Sequence, residues 1–185
     1  MTTVAGESIR RLNWGCGLGP TPGWINSDRK EGPGIDLSCD IRDGLPLAND
    51  SLDYAVSIHA LPELALDELV PALRELRRVL RVGGVLRLSL PDLERGFRAY
   101  TNADRDYFLV PDDDAYSLGG KLVMQLLWYG HSRSLFTTDF IEELLRKAAF
   151  AEVAQCGFRE TRSRFDEIVQ LDDREFESLF VEAVK

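Results

Sequence analysis

Sulfur and imidazole are scarce in this chain: three cysteines, two methionines and two histidines among 185 residues. Cys16, Cys39 and Cys156 are odd in number and far apart, so neither a disulfide framework nor a zinc knuckle is indicated. No run is apolar enough to span a bilayer, and the opening MTTVAGESIRRL lacks the parts of a signal peptide. A reduced, cytoplasmic setting is the expectation. Basic residues are in the minority, 22 against 31 acidic, and the net charge of −9 argues against binding nucleic-acid phosphates. Repeats, low-complexity runs and Gly/Ser linkers are also missing, so one domain over residues 1–185 is expected. A chain this long hides roughly 70% of its unfolded surface, enough for a single core.

What is present alternates strand and helix, the pattern of a mostly parallel sheet. Strands are predicted at Arg10 to Trp14, Trp24 to Asp28, Ile35 to Ile41, Leu52 to Ile58 and Val85 to Leu90. Leu66, Leu69, Val70, Leu73, Leu76 and Leu80 follow helical spacing. Pro71 conflicts with that helix, which therefore starts near Val70 or has a bent first turn, and Gly83 and Gly84 stop it. Residues 92–134 resist assignment; they hold seven of the 17 aromatics and the run Asp112, Asp113, Asp114, read as a solvated turn. A helix from about Asp139 to Ala149 follows, capped by Thr137 or Thr138. Two short strands, Glu152 to Cys156 and Leu179 to Val184, end the chain around a long polar connection.

The main chemical signal is Gly15-Cys16-Gly17-Leu18-Gly19 after the first strand. Glycines there permit positive φ and close approach to a ligand. A dinucleotide fingerprint wants a third glycine three positions after the second, then a helix whose N-terminus receives pyrophosphate. Here residue 20 is proline, and the acidic residue at the next strand end, Asp28, lies 11 positions past Gly17 instead of roughly 20. No crossover helix fits in that gap. The loop suits a nucleoside without phosphates, with Asp28 accepting from both ribose hydroxyls. S-adenosylmethionine fits this description.

The runs Leu12-Asn13-Trp14-Gly15-Cys16-Gly17 and Pro22-Gly23-Trp24-Ile25-Asn26-Ser27-Asp28 resemble "LNLGCG…PGWINVD", the opening of a bacterial branch of class I S-adenosylmethionine-dependent methyltransferases (type 11-like) with a shortened first helix. The likeness continues through Asp36 to Ile41, Leu45 to Asp53, Ile58 to Leu61, Arg74 to Leu90, Phe136 to Phe150 and Ser178 to Lys185. It implies a Rossmann-like α/β fold with a seven-stranded, mostly parallel sheet whose last strand runs antiparallel. It also implies that Gly15 and Gly17 line the methionine, Asp28 holds the ribose, Asp40 and the Ile41 backbone contact the adenine, and Ser57 to His59 border the sulfonium. Asn13 and Cys16 fall in the same cofactor set, Cys16 as a small side chain packed under the ligand. The sequence departs from the pattern at Pro62-Glu63, at Val82 in place of proline and at Ala149 in place of glycine; the last two read as structural drift.

His59 and His131 are the possible bases if the acceptor is a hydroxyl or a protonated amine. His59, at the end of the fourth strand, is equally a loop-shaping residue. His131 with Arg133 addresses the acceptor in one reading and belongs to a polar loop in the other. Residues 93–134 read as an insertion, either a helical subcore or a substrate lid. The resemblance points to a small-molecule acceptor such as a sugar or glycan precursor or a specialised metabolite. A degenerate cofactor-binding protein and a nicotinamide oxidoreductase are the alternatives. Retention of the glycines with Asp28 opposes the first, and the short gap with Pro20 opposes the second.

Overall fold

The computed structural model describes residues 9–185. Its seven strands are β1 (Arg11–Trp14), β2 (Ile25–Asp28), β3 (Leu37–Ser38), β4 (Leu52–Ile58), β5 (Leu80–Pro91), β6 (Glu152–Cys156) and β7 (Ser178–Val184). They form one sheet in the order β3-β2-β1-β4-β5-β7-β6. The first five run parallel, while β7 runs antiparallel to both β5 and β6. The carboxyl ends of β1, β2, β3, β4 and β5 therefore share one edge, where an open α/β sheet places its ligand.

Helix α1 (Leu66–Val79) and helix α4 (Thr138–Lys147) cover one face, burying Leu12, Ala55, Leu86 and Leu88 against Leu69, Leu73, Leu76, Ile141 and Leu145. Of the two alternatives, a start near Val70 does not hold: α1 starts at Leu66. Its first turn is secured by the Glu68 carboxylate, which accepts the Ala65 N–H at 2.7 Å. Pro71 sits in the second turn, so the Asp67 carbonyl lacks the usual N–H partner.

The opposite face is covered by the 157–177 connection, which carries a 3₁₀ turn over Asp166–Val169. Trp24, Tyr54, Val56 and Val85 pack under Phe165 and Ile168 of the extended 157–177 connection. That connection is strapped down by Arg87, which is fully buried. Its guanidinium bonds Asp172 at 2.5 and 2.8 Å, Glu182 at 2.9 Å, and the carbonyls of Glu160 and Gly157 at 2.9 and 3.1 Å. A buried cation persists only when paired and fully bonded in this way.

Two strands differ from expectation. β3 is two residues long because Asp40 caps a 3₁₀ turn over Ile41–Asp43, which withdraws Ile41 from the sheet. β5 begins at Leu80, directly after α1, so the glycines do not stop the helix. They serve an irregular pairing in which Leu52 meets Leu80 but Tyr54 meets Val85. At Gly84 a Cβ would lie 2.8 Å from the Arg81 carbonyl oxygen and 3.0 Å from that of Asp53.

Residues 93–134 hold α2 (Leu93–Thr101) and α3 (Leu118–Leu127), packed around Ala99, Tyr107, Phe108 and Leu122. The acidic run is not simply solvated. Asp112 pairs with Arg105 at 2.7 Å and with the buried Lys121 at 2.9 Å, and Asp114 accepts the Tyr129 hydroxyl at 2.6 Å. No helix among the described residues is long and apolar enough to cross a membrane.

Candidate functional site

The loop after β1 rises through two left-handed glycines, Gly15 at φ 68° and Gly17 at φ 54°. Gly15 has no room for a side chain: a Cβ would stand 2.2 Å from that of Ala60, in the loop after β4. Around Gly17 no atom of the described residues comes within 4 Å of that position, so the loop opens onto space there. The Gly15 and Cys16 amides donate to the Ser27 carbonyl at 2.8 and 3.0 Å, tying the loop to β2. Asp28, the last residue of β2, accepts the Gly17 N–H on one carboxylate oxygen and the Lys30 N–H on the other, both at 2.9 Å. An ionised carboxylate offers about four acceptor positions, so two remain.

Asn13 is buried beneath this loop. Its amide donates to the Gly19 carbonyl at 3.3 Å and to Asn26 Oδ1 at 3.2 Å, and Asn26 in turn accepts the Thr21 N–H. This pair sets the return of the chain from Gly19 into β2. The Cys16 thiol is half-buried, and burial, aided by the charge of Asp28, pushes its pKa up. It stays protonated and is no nucleophile.

Asp40 lies at the same edge beyond β3. Its carboxylate accepts the Arg42 amide at 3.0 Å and the Arg42 guanidinium at 2.5 and 2.9 Å, which holds its pKa down at about 2. Arg42 also reaches Glu68 at 3.2 Å, so its partners are Asp40 and Glu68. Ile41 turns its side chain into the core and leaves only backbone outward.

At the end of β4 the Ser57 hydroxyl is buried and has no hydrogen-bond partner among the described residues. His59 adopts φ 53°, a left-handed conformation that costs a side-chain-bearing residue of order 1–3 kcal/mol. Its Nε2 meets Ser178 Oγ at 2.7 Å, and its amide donates to the Ser89 carbonyl at 3.0 Å. Burial, reinforced by Arg174, lowers its pKa to about 3, so the imidazole is neutral.

His131 is exposed, following Trp128, Tyr129 and Gly130 at φ 42°, 56° and 91°. Two residues on, the chain docks beside β4: the Arg133 and Ser134 amides donate to the Pro62 carbonyl at 2.7 and 3.1 Å, and Arg133 pairs with Glu68 at 3.1 Å. Glu63 itself pairs with Arg29 at 3.5 Å. One contiguous edge thus unites the glycine loop, Asp28, Asp40 and the Ser57–Pro62 loop, with the His131–Ser134 segment against it. Ala60, Asn26 and Arg42 are structural members that the sequence does not announce. Only the absence of a Cβ at Gly15 demands a small neighbour, and that contact spans 45 residues.

Residues with unspent acceptors, an unpartnered buried hydroxyl and open space over Gly17 suit a nucleoside ligand with a compact polar tail. A model described as "methyltransferase domain" matches residues 16–88. Among solved structures the chain is similar to an S-adenosylmethionine-dependent methyltransferase from Thermotoga maritima. That match has 20% identity and a TM-score of 0.58 and covers 95% of this chain and 82% of that one. A second, from Archaeoglobus fulgidus, has 15% identity, a TM-score of 0.60 and coverage of 96% and 87%. A third, from Mesorhizobium loti, has 20% identity, a TM-score of 0.56 and coverage of 96% and 91%. No curated protein matches.

Proposed function

We infer that this chain, a class I S-adenosylmethionine-dependent methyltransferase, transfers its methyl group to a small-molecule acceptor bound at the carboxyl edge of β4 and β5. The observation that carries this reading is the Asp28 carboxylate, which accepts the Gly17 N–H at 2.9 Å while keeping two acceptor positions. It closes the β1–β2 gap without a helix N-terminus, the element a pyrophosphate needs. When bound, S-adenosylmethionine supplies an electrophilic methyl carbon on a sulfonium leaving group.

In this reading Asp28 receives the ribose hydroxyls, and the backbone of Gly15 to Gly17, with Asn13 beneath it, lines the methionine end. Cys16 packs under the ligand. Asp40, oriented by Arg42, and the Ile41 backbone border the adenine, and the unpartnered Ser57 hydroxyl lies on the sulfonium side. The chain's main contribution is alignment and exclusion of water. His59, neutral and bonded to Ser178, is too weak a base to take a proton near pH 7, so it orients instead. His131 is the residue assigned to receive the acceptor's proton. Residues 93–134 form the acceptor-side wall and serve as a lid.

The test is transfer of label from methyl-tritiated S-adenosylmethionine to fractions of a cell extract. Label is expected in the small-molecule fraction. Label confined to protein or nucleic acid, or no transfer, contradicts the assignment of acceptor.

A further inference from the structure

A cavity of about 530 Å³ lies between α2 and residues 175–176, within the size range of small-molecule sites. The glycine loop does not line it. Two residues along the chain from its lining residue Phe176 stands Ser178, the hydrogen-bond partner of His59. Arg95 holds the two sides together: it donates to the carbonyls of Glu175 and Phe176 at 2.8 and 3.2 Å and pairs with Asp92 at 3.2 Å.

The remaining charged groups are uncommitted. Among the described residues, Arg98, Asp104 and Glu175 line this cavity without a side-chain hydrogen bond or ion pair. Opposite charges in one cavity, held too far apart to pair, leave both signs available to a ligand. Tyr107 is 8% exposed and its hydroxyl has no hydrogen-bond partner among the described residues. Burial, with Asp92 and Glu177 nearby, pushes its pKa up to about 12, so it keeps its proton and can donate. Its ring lies 5.1 Å from that of Phe176, which is 54% exposed and forms an open aromatic surface.

We propose that this cavity anchors the methyl acceptor and that the acceptor is a small zwitterion, its anionic group held by Arg98 and Tyr107 and its ammonium by Glu175 and Asp104 beside the Phe176 ring. A guanidinium and a phenol suit a carboxylate or phosphate, and carboxylates beside an aromatic face suit an ammonium. A ligand of one sign would leave the opposite lining charges without a partner and meet repulsion from the like ones. That the occupant is the methyl acceptor rests on the methyl-transfer reading; that the cavity binds a zwitterion does not.

The test is a titration of protein saturated with S-adenosylhomocysteine, followed by amide chemical shifts. The probes are 3-aminopropylphosphonate, 4-aminobutyrate, propylphosphonate, propylamine and propane-1,3-diol. One zwitterion at least should bind tenfold or more tightly than any probe carrying one charge or none, shifting Arg98, Tyr107 and Phe176. The phosphonate and carboxylate members distinguish the two anions. Arg98→Ala and Glu175→Gln should each weaken that zwitterion about tenfold or more, with melting point and S-adenosylhomocysteine affinity unchanged. Equal binding of all probes, preference for the diol or a singly charged probe, or no binding overturns the subsite. Failure of S-adenosylhomocysteine to bind at the outset indicts the methyltransferase reading instead.

Discussion

Asp28 holds Gly17: a carboxylate oxygen at the end of β2 accepts the amide of the second glycine in the loop after β1, at 2.9 Å. The side chain proposed to hold the ribose thus also fixes the loop beside it. Asp28→Ala is therefore expected to remove a ligand acceptor and a loop anchor together. Each charge-assisted bond contributes about 1.5–3 kcal/mol, so S-adenosylhomocysteine should bind at least tenfold more weakly by calorimetry. Asp28→Asn should fall in between. Unchanged affinity in both variants removes Asp28 from the site.

Ala149 occupies a position at φ 69°, just past the end of α4, with its side chain exposed. Its amide donates to the Arg146 carbonyl, and that of Phe150 reaches back to Leu145, a helix-ending arrangement that favours glycine. The substitution read as drift therefore leaves a strained residue. Ala149→Gly is expected to stabilise the fold by about 1 kcal/mol, or about 2–4 °C in melting point. A lower melting point contradicts this.

His59 ties stability to pH. Its pKa in the fold, about 3, lies below the ordinary 6.5, so on acidification the unfolded chain takes up the proton first. The associated stability is present above about pH 6.5 and is lost as pH falls toward 3, by at most about 1.4 kcal/mol per pH unit. Asp40, held at about 2, adds its own loss only below about pH 4. Urea midpoints should thus decline between pH 6.5 and 4.5 in the parent protein. His59→Asn, which tolerates the left-handed backbone without titrating, should flatten that decline. The same decline in both proteins would assign it to other groups.

Turnover should separate the two histidines. A positioned base contributes about 10²–10⁴ in rate, so His131→Ala should lower kcat on that scale for a hydroxyl acceptor, leaving cofactor affinity intact. Asp28→Ala should show the reverse, recovering much of its rate at saturating cofactor. A full loss in His59→Ala with none in His131→Ala moves the chemistry to the end of β4.

Local patterns in the chain carry much of this architecture. Leu52–Ile58 and Glu152–Cys156 read as strands to the residue, because apolar runs between turn residues have few other solutions. The glycine loop and Asp28 are legible together because their spacing excludes a helix. Other features are set by distant partners. Nothing local marks Arg87 as buried: its partners Asp172 and Glu182 lie 85 and 95 positions away. Pro71 outweighs its neighbours in a local reading that starts the helix near Val70, yet with the Glu68 bond to Ala65 it starts four residues earlier, at Leu66. In α2 and α3 the caps Asp92 and Ser117 are ordinary signals, masked by a surrounding run of aromatics and glycines. The placement of Arg133 and Ser134, just after His131, depends on Pro62 and Glu68, which no local pattern links to them.

The most direct measurement is the melting point with saturating S-adenosylhomocysteine, compared with saturating NAD or NADP. At 100 times its dissociation constant a ligand adds about 2.7 kcal/mol, roughly 5–10 °C for a chain of this size. A rise of that order with S-adenosylhomocysteine and none with the nicotinamide cofactors is the predicted result. An unchanged melting point with S-adenosylhomocysteine, or a rise with NAD or NADP alone, contradicts a methyltransferase site at the glycine loop.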